Sequence, residues 1–490
     1  MPENHFFNNI SNKIPPILQK NFTYLIGSVV QSIASFILVP ILANQLPQAQ
    51  FGYWAFSDTI ILFLILVMTF GFDIGFMREY WKCKNEPEKA ILTGTIIFSI
   101  SIFGVALILV SMFLIFIQGE GIEKIFKLPI ETLSLTIIIG FFESLLGILF
   151  TLFRIREEAK KFVFLSIGKF ILYITSALLL LTQSNSVNTI LSGRILTLLT
   201  ISIIGFFLSR KHINLKFDKS IFDKVFKYSA PLLPANIFSY GILMMDRYAV
   251  QYFLGPESIA IYAFSLKIVS IYYLIILKPF SLDWAPRRFK IAASNRANEK
   301  FSNIFYIFLF TSIFAMLLII AIAPFIFQFF APSNFITGLA LLPTMFLGYL
   351  FYSLTYPMNI GIVIKDKTQY SAIISFIVVI LSFLLNIFLV PQMHFYGAAL
   401  AQLISFMLNF VLITYVSQKL YKVTFSKIDL GKIVLLGTII STGFIFISYL
   451  NISQIMITLF RVLTLLIIFF LSMKSQILNR IKLLNQKASE

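Results

Sequence analysis

The chain alternates long apolar runs with short polar connections. Read against the roughly 20 residues a helix needs to cross a bilayer, the runs predict fourteen spanning helices. They cover 22–42, 54–76, 92–116, 133–153, 162–181, 189–208, 229–253, 258–278, 303–324, 338–361, 370–390, 397–416, 431–449 and 454–473. Pro40, Pro324, Pro343 and Pro357 fall within these runs and are expected to kink or break their helices. The stretch from Phe226 to Lys267 divides the chain. It begins with a basic lead-in, enters an apolar run through Pro231 and Pro234, and carries Asp246 and Arg247 side by side. A turn at Gly255-Pro256 follows, then a second apolar run with Lys267 at its middle.

Composition agrees with this pattern. Of 490 residues, 58% are hydrophobic and 12% charged, with a mean hydropathy of +0.90, so the class is a polytopic all-α membrane protein. The first apolar run is too long for a signal-peptide core and lacks a small-residue cleavage site. A net charge of +18 would suggest nucleic acid for a soluble protein. Here the charges follow the positive-inside rule, and no nucleic-acid partner is expected. Of the 39 Lys and Arg, 32 lie in the termini and alternate connections assigned to the inside, and two in the outside connections, both in 117–132. Both termini are therefore expected in the cytoplasm. The remaining five are Lys169, Arg194, Arg247, Lys267 and Arg461, all within spans.

No connection is large enough to house an enzyme, and no phosphate-binding Gly-rich loop is present. The lone Cys83 and the scattered His5, His212 and His394 make no metal-ligand spacing. An enzyme and a cofactor are therefore not expected, nor is ATP-driven transport by this chain alone.

An internal repeat organises the spans. Pro47 and Tyr53 recur as Pro256 and Tyr262 at an offset of 209, which sets Asp58 opposite Lys267 and Arg78 opposite Arg287. At an offset of 208, Phe162 aligns with Tyr370 and Arg194 with Gln402. Six helices per repeat is an even number, so both halves enter from the same side, as two parallel-repeat lobes. The expected division is an N-lobe at 1–208, a basic cytoplasmic linker at 209–228 and a C-lobe at 229–416. Two added helices follow at 430–473, then a basic tail at 474–490.

The motifs carry a family resemblance. The run KYSAPLLPANIFSYGILMMDRY resembles the seventh-helix signature of bacterial polysaccharide exporters in the multidrug/oligosaccharidyl-lipid/polysaccharide superfamily. So does GPESIAIYAFSLKI, with Gly255, Tyr262 and Lys267. FGFDIGFMREY, with Gly71, Gly75 and Arg78, is similar to the family's Gly-rich close of helix 2, and LVPQMHFYGAALAQLISF to its start of helix 12. The resemblance implies a flippase of the bacterial plasma membrane. It would move an undecaprenyl-diphosphate-linked oligosaccharide from the cytoplasmic to the outer leaflet, for O-antigen or other surface polysaccharide. Expected partners are that lipid-linked substrate, membrane lipids and other polysaccharide assembly proteins, with the chain acting as a monomer. The alternatives are an ion-coupled multidrug antiporter of the same superfamily and a membrane polysaccharide polymerase.

An anionic, hydroxylated headgroup needs a shielded polar path through hydrocarbon. An uncompensated charge at the bilayer centre costs about 2.5–3.5 kcal/mol on insertion scales. The candidate substrate-binding residues are Lys267, Arg247, Asp246, Asp58, Arg194, Lys169 and Gln402. The candidate ion-coupling acids are Asp246, Asp58 and Glu143. For each a structural alternative stands beside the functional one. Lys267 either touches phosphate or pairs with an acid such as Asp58. Arg247 either lines the cavity or snorkels to the surface. Lys169 and Arg194 are read first as salt-bridge partners, with Glu143 pairing to one of them. Gly71 and Gly75 form a GxxxG that permits close helix approach.

Overall fold

A computed structural model describes residues 36–424, and every regular element among them is helical. Helix α1 (Phe36–Gln45) leads into α2 (Gln48–Thr69), which opens directly after Pro47. Then come α3 (Phe72–Tyr80), α4 (Glu86–Phe126), α5 (Ile130–Ile155), α6 (Ala159–Leu181) and α7 (Val187–Ser209). A short amphipathic helix, α8 (Lys219–Ser229), precedes α9 (Leu232–Leu254) and α10 (Pro256–Tyr272). A π-turn at Tyr273–Leu277 joins α10 to α11 (Lys278–Ala292). Next are α12 (Ala297–Phe330), a 3₁₀ stretch (Ser333–Leu341), α13 (Leu342–Met358), α14 (Ile360–Ile364) and α15 (Gln369–Leu420).

Spans 2 to 12 each fall on helix. Nine helical stretches among the described residues are long and apolar enough to cross a membrane. Expected spans 13 and 14, and most of span 1, lie outside the described residues. Spans 11 and 12 are the two arms of α15, broken at His394 (φ 52°, ψ −143°). Span 2 is likewise broken, at Phe70 and Gly71, both left-handed. Pro357 stands one residue before the end of α13 and Pro343 in its first turn, whereas α12 runs through Pro324 without a break.

Local chemistry sets the helix ends. The Asn85 side chain accepts from the Glu88 amide while Glu88 accepts from the Lys84 amide, a reciprocal cap on α4. Ser186 caps α7 and Asp218 caps α8. Within the spans, hydroxyls bond back to the preceding turn, as Ser99 does to Thr95 O (2.7 Å) and Ser144 to Gly140 O (2.7 Å). In hydrocarbon that is where a lone hydroxyl finds an acceptor. At the α5–α6 turn, burial pushes the Glu158 carboxyl up, but the Lys161 ammonium 2.8 Å away outweighs it and holds the group below its usual range.

The chain forms two compact units, Met1–Ile237 and Phe238–Glu490. The linker helix α8 belongs to the first. Its apolar stripe, Ile221, Phe222, Val225 and Phe226, packs into a cluster with Phe72, Phe76 and Ile148, and its lysines stay exposed. The Gly71–Gly75 pair receives this helix: Ser229 Oγ donates to Gly71 O (2.9 Å), and Arg78 stacks on Tyr228 (4.2 Å). A Cβ on Gly75 would meet Ser229 Oγ and Val225 Cγ1 at 2.7 Å each, so the GxxxG serves packing here. Gly75→Leu should therefore undock α8 and cost about 1–3 kcal/mol of stability. A fall in melting temperature of the purified protein, absent for Gly147→Ala at an open position, checks this.

Candidate functional site

Among the described residues, each unit holds a constellation of charged and polar side chains within its spans. In the first unit, Asp58 comes from α2, Glu143 from α5, Lys169 from α6 and Arg194 from α7. Arg194 Nη1 lies 2.5 Å from Asp58 Oδ1, and its Nη2 lies 3.1 Å from Glu143 Oε1. Lys169 Nζ lies 2.6 Å from Glu143 Oε2. The four form one chain, Asp58–Arg194–Glu143–Lys169, two acids against two bases. Trp54 and Tyr173 complete it. The Trp54 indole donates to the Tyr173 hydroxyl (3.2 Å), and the Arg194 guanidinium sits 5.6 Å from the centre of the Tyr173 ring. Together with Leu38, Ser166, Phe170 and Ile174 these side chains line a cavity of about 180 Å³.

Lys169 and Arg194 are thus salt-bridge partners, and Glu143 pairs with both. Four helices converge here because each contributes a charge that hydrocarbon would penalise alone. The cavity presents matched charges and an aromatic wall.

In the second unit, Asp246 is buried on α9 at 1% exposure. Its Oδ2 accepts from the Tyr262 hydroxyl of α10 and the Gln402 amide of α15, each at 2.7 Å. Its Oδ1 accepts from the Arg247 backbone N–H at 2.8 Å. Gln402 Oε1 is buried with no hydrogen-bond partner. The Arg247 guanidinium turns back to its own helix, donating to Leu243 O, and lies against the Tyr349 hydroxyl. Asp246 and Arg247, adjacent and about 100° apart on the helix, thus serve different neighbours. Lys267 is half-buried on α10 and is not among the hydrogen-bond donors to Asp246.

Sequence reasoning missed Trp54, Tyr173 and Tyr349. Tyr262 was in view as a motif residue, and its spacing to Pro256, repeated at Pro47 and Tyr53, was the signal available.

This architecture is that of a multi-helix membrane protein. The solved structure "Lipid II flippase MurJ, inward closed conformation" matches with a TM-score of 0.70 at 18% identity, over 91% of this chain and 99% of that one. A multidrug resistance MATE family transporter in an outward-facing conformation matches at 0.56, with 13% identity over 82% and 94%. "MATE in the straight conformation" matches at 0.52, with 14% identity over 82% and 95%. Residues 41–282 match the family described as "Polysaccharide biosynthesis protein". No curated protein sequence matches the chain. The family match covers just under half of the chain, and the likeness to these structures, at 18% identity or less, shows a shared fold.

The ion chain makes its own prediction. Lys169→Met leaves Glu143 with Arg194 alone and the four-residue chain with one net negative charge, and should destabilise the protein by about 1–3 kcal/mol, less than the full cost of breaking a buried pair from one side. Adding Glu143→Gln should recover part of that loss. Thermal unfolding of the single and double variants, at matched detergent, measures the coupling.

Proposed function

We propose that this chain moves an undecaprenyl-diphosphate-linked oligosaccharide from the cytoplasmic to the outer leaflet of the bacterial plasma membrane, by alternating access, for surface polysaccharide assembly. One observation carries the choice over cation-drug exchange: the two acids in the first-unit cavity, Asp58 and Glu143, already face Arg194 and Lys169. A cavity that attracts cationic drugs needs uncompensated negative charge, and an anionic headgroup does not. The family match and the fold shared with a structure titled as a lipid II flippase support the same reading.

In this scheme Arg247 and Lys267 meet the diphosphate as it passes, and the polyprenyl tail stays in lipid. The two repeats rock about an axis along the membrane normal. Asp246 is the favoured coupling acid, because the uncharged Tyr262 and Gln402 and a backbone amide hold its oxygens, with the Arg247 guanidinium as its nearby countercharge. A charge moved across the field is worth about 2.3 kcal/mol per 100 mV. The orientation is testable directly. Reporter fusions after Asn185 and Asn334 should read outside, and those after Lys211 and Lys422 inside; a reporter at Lys211 reading outside would overturn the topology.

The central test replaces the cations. Lys267→Ala and Arg247→Ala should each lower surface polysaccharide at least about tenfold at normal membrane protein level. Lys267→Arg should keep part of the export, since the charge persists while its geometry changes. Normal export by both alanine variants at normal expression would remove the diphosphate role.

A further inference from the structure

Three tyrosines of α13 stand at positions i, i+3 and i+7, Tyr349, Tyr352 and Tyr356, and so share one helix face. Their rings step along it, at centroid separations of 6.2 Å and 6.0 Å, both edge to face. Phe406 of α15 backs the first two at 5.5 Å and 5.1 Å. Arg247 lies beside Tyr349 at one end, and the Tyr356 ring closes the other. Tyr273, 39% exposed, follows directly on α10, which packs against α13. It opens the π-turn, a local widening of the helix of a kind that recurs at functional sites.

A purely structural stripe would use Phe or Leu, which bring no hydroxyl to satisfy inside hydrocarbon. Interfacial tyrosines, by contrast, gather at one depth in a belt. This row runs instead along about 10 Å of a spanning helix, at 1.5 Å per residue. It offers ring faces with phenol hydroxyls at their edges, which donate and accept. Those are the requirements of a sugar ring, apolar on its C–H face and polar at its rim.

We propose that Tyr273, Tyr349, Tyr352 and Tyr356 form a carbohydrate-binding ladder, on which sugar rings of the headgroup stack while Arg247 holds the adjoining anionic group. This rests on the lipid-linked oligosaccharide reading above and adds the element that recognises the glycan. Tyr349 and Arg247 anchor the ladder, Tyr352 and Tyr356 present stacking faces, and Tyr273 is its exposed lip.

The test uses the full chain in lipid nanodiscs with three probes: farnesyl diphosphate, and the same lipid diphosphate carrying glucose or N-acetylglucosamine. The native protein should bind at least one sugar-bearing probe about tenfold more tightly than farnesyl diphosphate, equivalent to about 1.4 kcal/mol. Tyr273→Ala with Tyr356→Ala should abolish that preference and leave farnesyl diphosphate affinity within about twofold. Tyr273→Phe with Tyr356→Phe should keep part of it, because the rings persist while their hydroxyl contacts are lost. If the alanine pair lowers the melting temperature, Tyr273→Ala alone carries the test, its ring being the exposed one. Preference unchanged in the alanine variants overturns the ladder, as does its complete loss in the phenylalanine pair. Native protein that binds farnesyl diphosphate without any sugar preference overturns the ladder alone. Binding of none of the three probes overturns the lipid-diphosphate reading and the ladder with it.

Discussion

Charge in hydrocarbon must be compensated where it stands, and that constraint shapes both units. An unpaired ion there costs several kcal/mol, and water is not at hand to share the load. The first unit meets the constraint by neutralisation. Asp58, Glu143, Lys169 and Arg194 arrive on four helices and hold those helices together through one ion chain. The second unit meets it by solvation with protein dipoles, as Tyr262, Gln402 and the Arg247 amide surround Asp246. Either arrangement adds specificity to packing that apolar contact alone would leave loose, because each polar group has few acceptable partners.

The same constraint governs the backbone. Where a spanning helix breaks, N–H and C=O groups lose their intrahelical partners and need others. Serines supply many of them. Ser229 donates to Gly71 O at the break before α3, Ser265 to Gly338 O in the 3₁₀ stretch, and the Gly361 amide donates to Ser417 Oγ at 2.8 Å. Trp284 does the same for Tyr356 O, beside the Asn359 break. The glycines at these places let the partner chain approach: a Cβ on Gly361 would sit 2.1 Å from Ser417 O. The breaks at Gly71, Gly338 and Asn359 are therefore built features, each with a side-chain partner.

Hydropathy made the spans legible, since eleven of the expected runs lie on helix among the described residues. The breaks were not legible to the same degree. Phe70 and His394 take left-handed backbone without being glycine, and Pro324, a nominal breaker, sits in continuous helix. Tertiary contacts decide such cases. The charge chemistry was partly legible: that Glu143 would pair with Lys169 or Arg194 followed from the cost of leaving it alone. The ion pair between Asp58 and Arg194 did not follow, because helix adjacency is invisible to spacing. The tyrosine row was hidden by abundance, for with 20 Tyr and 56 Phe in the chain no single aromatic stands out until α13 sets three on one face.

Arg194 and Gln402 stand 208 residues apart in sequence, and each reaches an acid in its own unit. The exchange of a cation for a neutral amide changes what each acid can do. An acid held by arginine gives up an ion pair if it takes up a proton, and the stranded guanidinium then bears the desolvation cost. An acid held by tyrosine and glutamine keeps its donors when it is ionised. On protonation it can itself donate to the unpartnered Gln402 Oε1, provided the amide turns. One helix can thus support a fixed strut in the first unit and another a responsive group in the second, and the difference lies in whether arginine or glutamine meets the acid. The physical asymmetry between the units is accordingly larger than their shared helical pattern suggests.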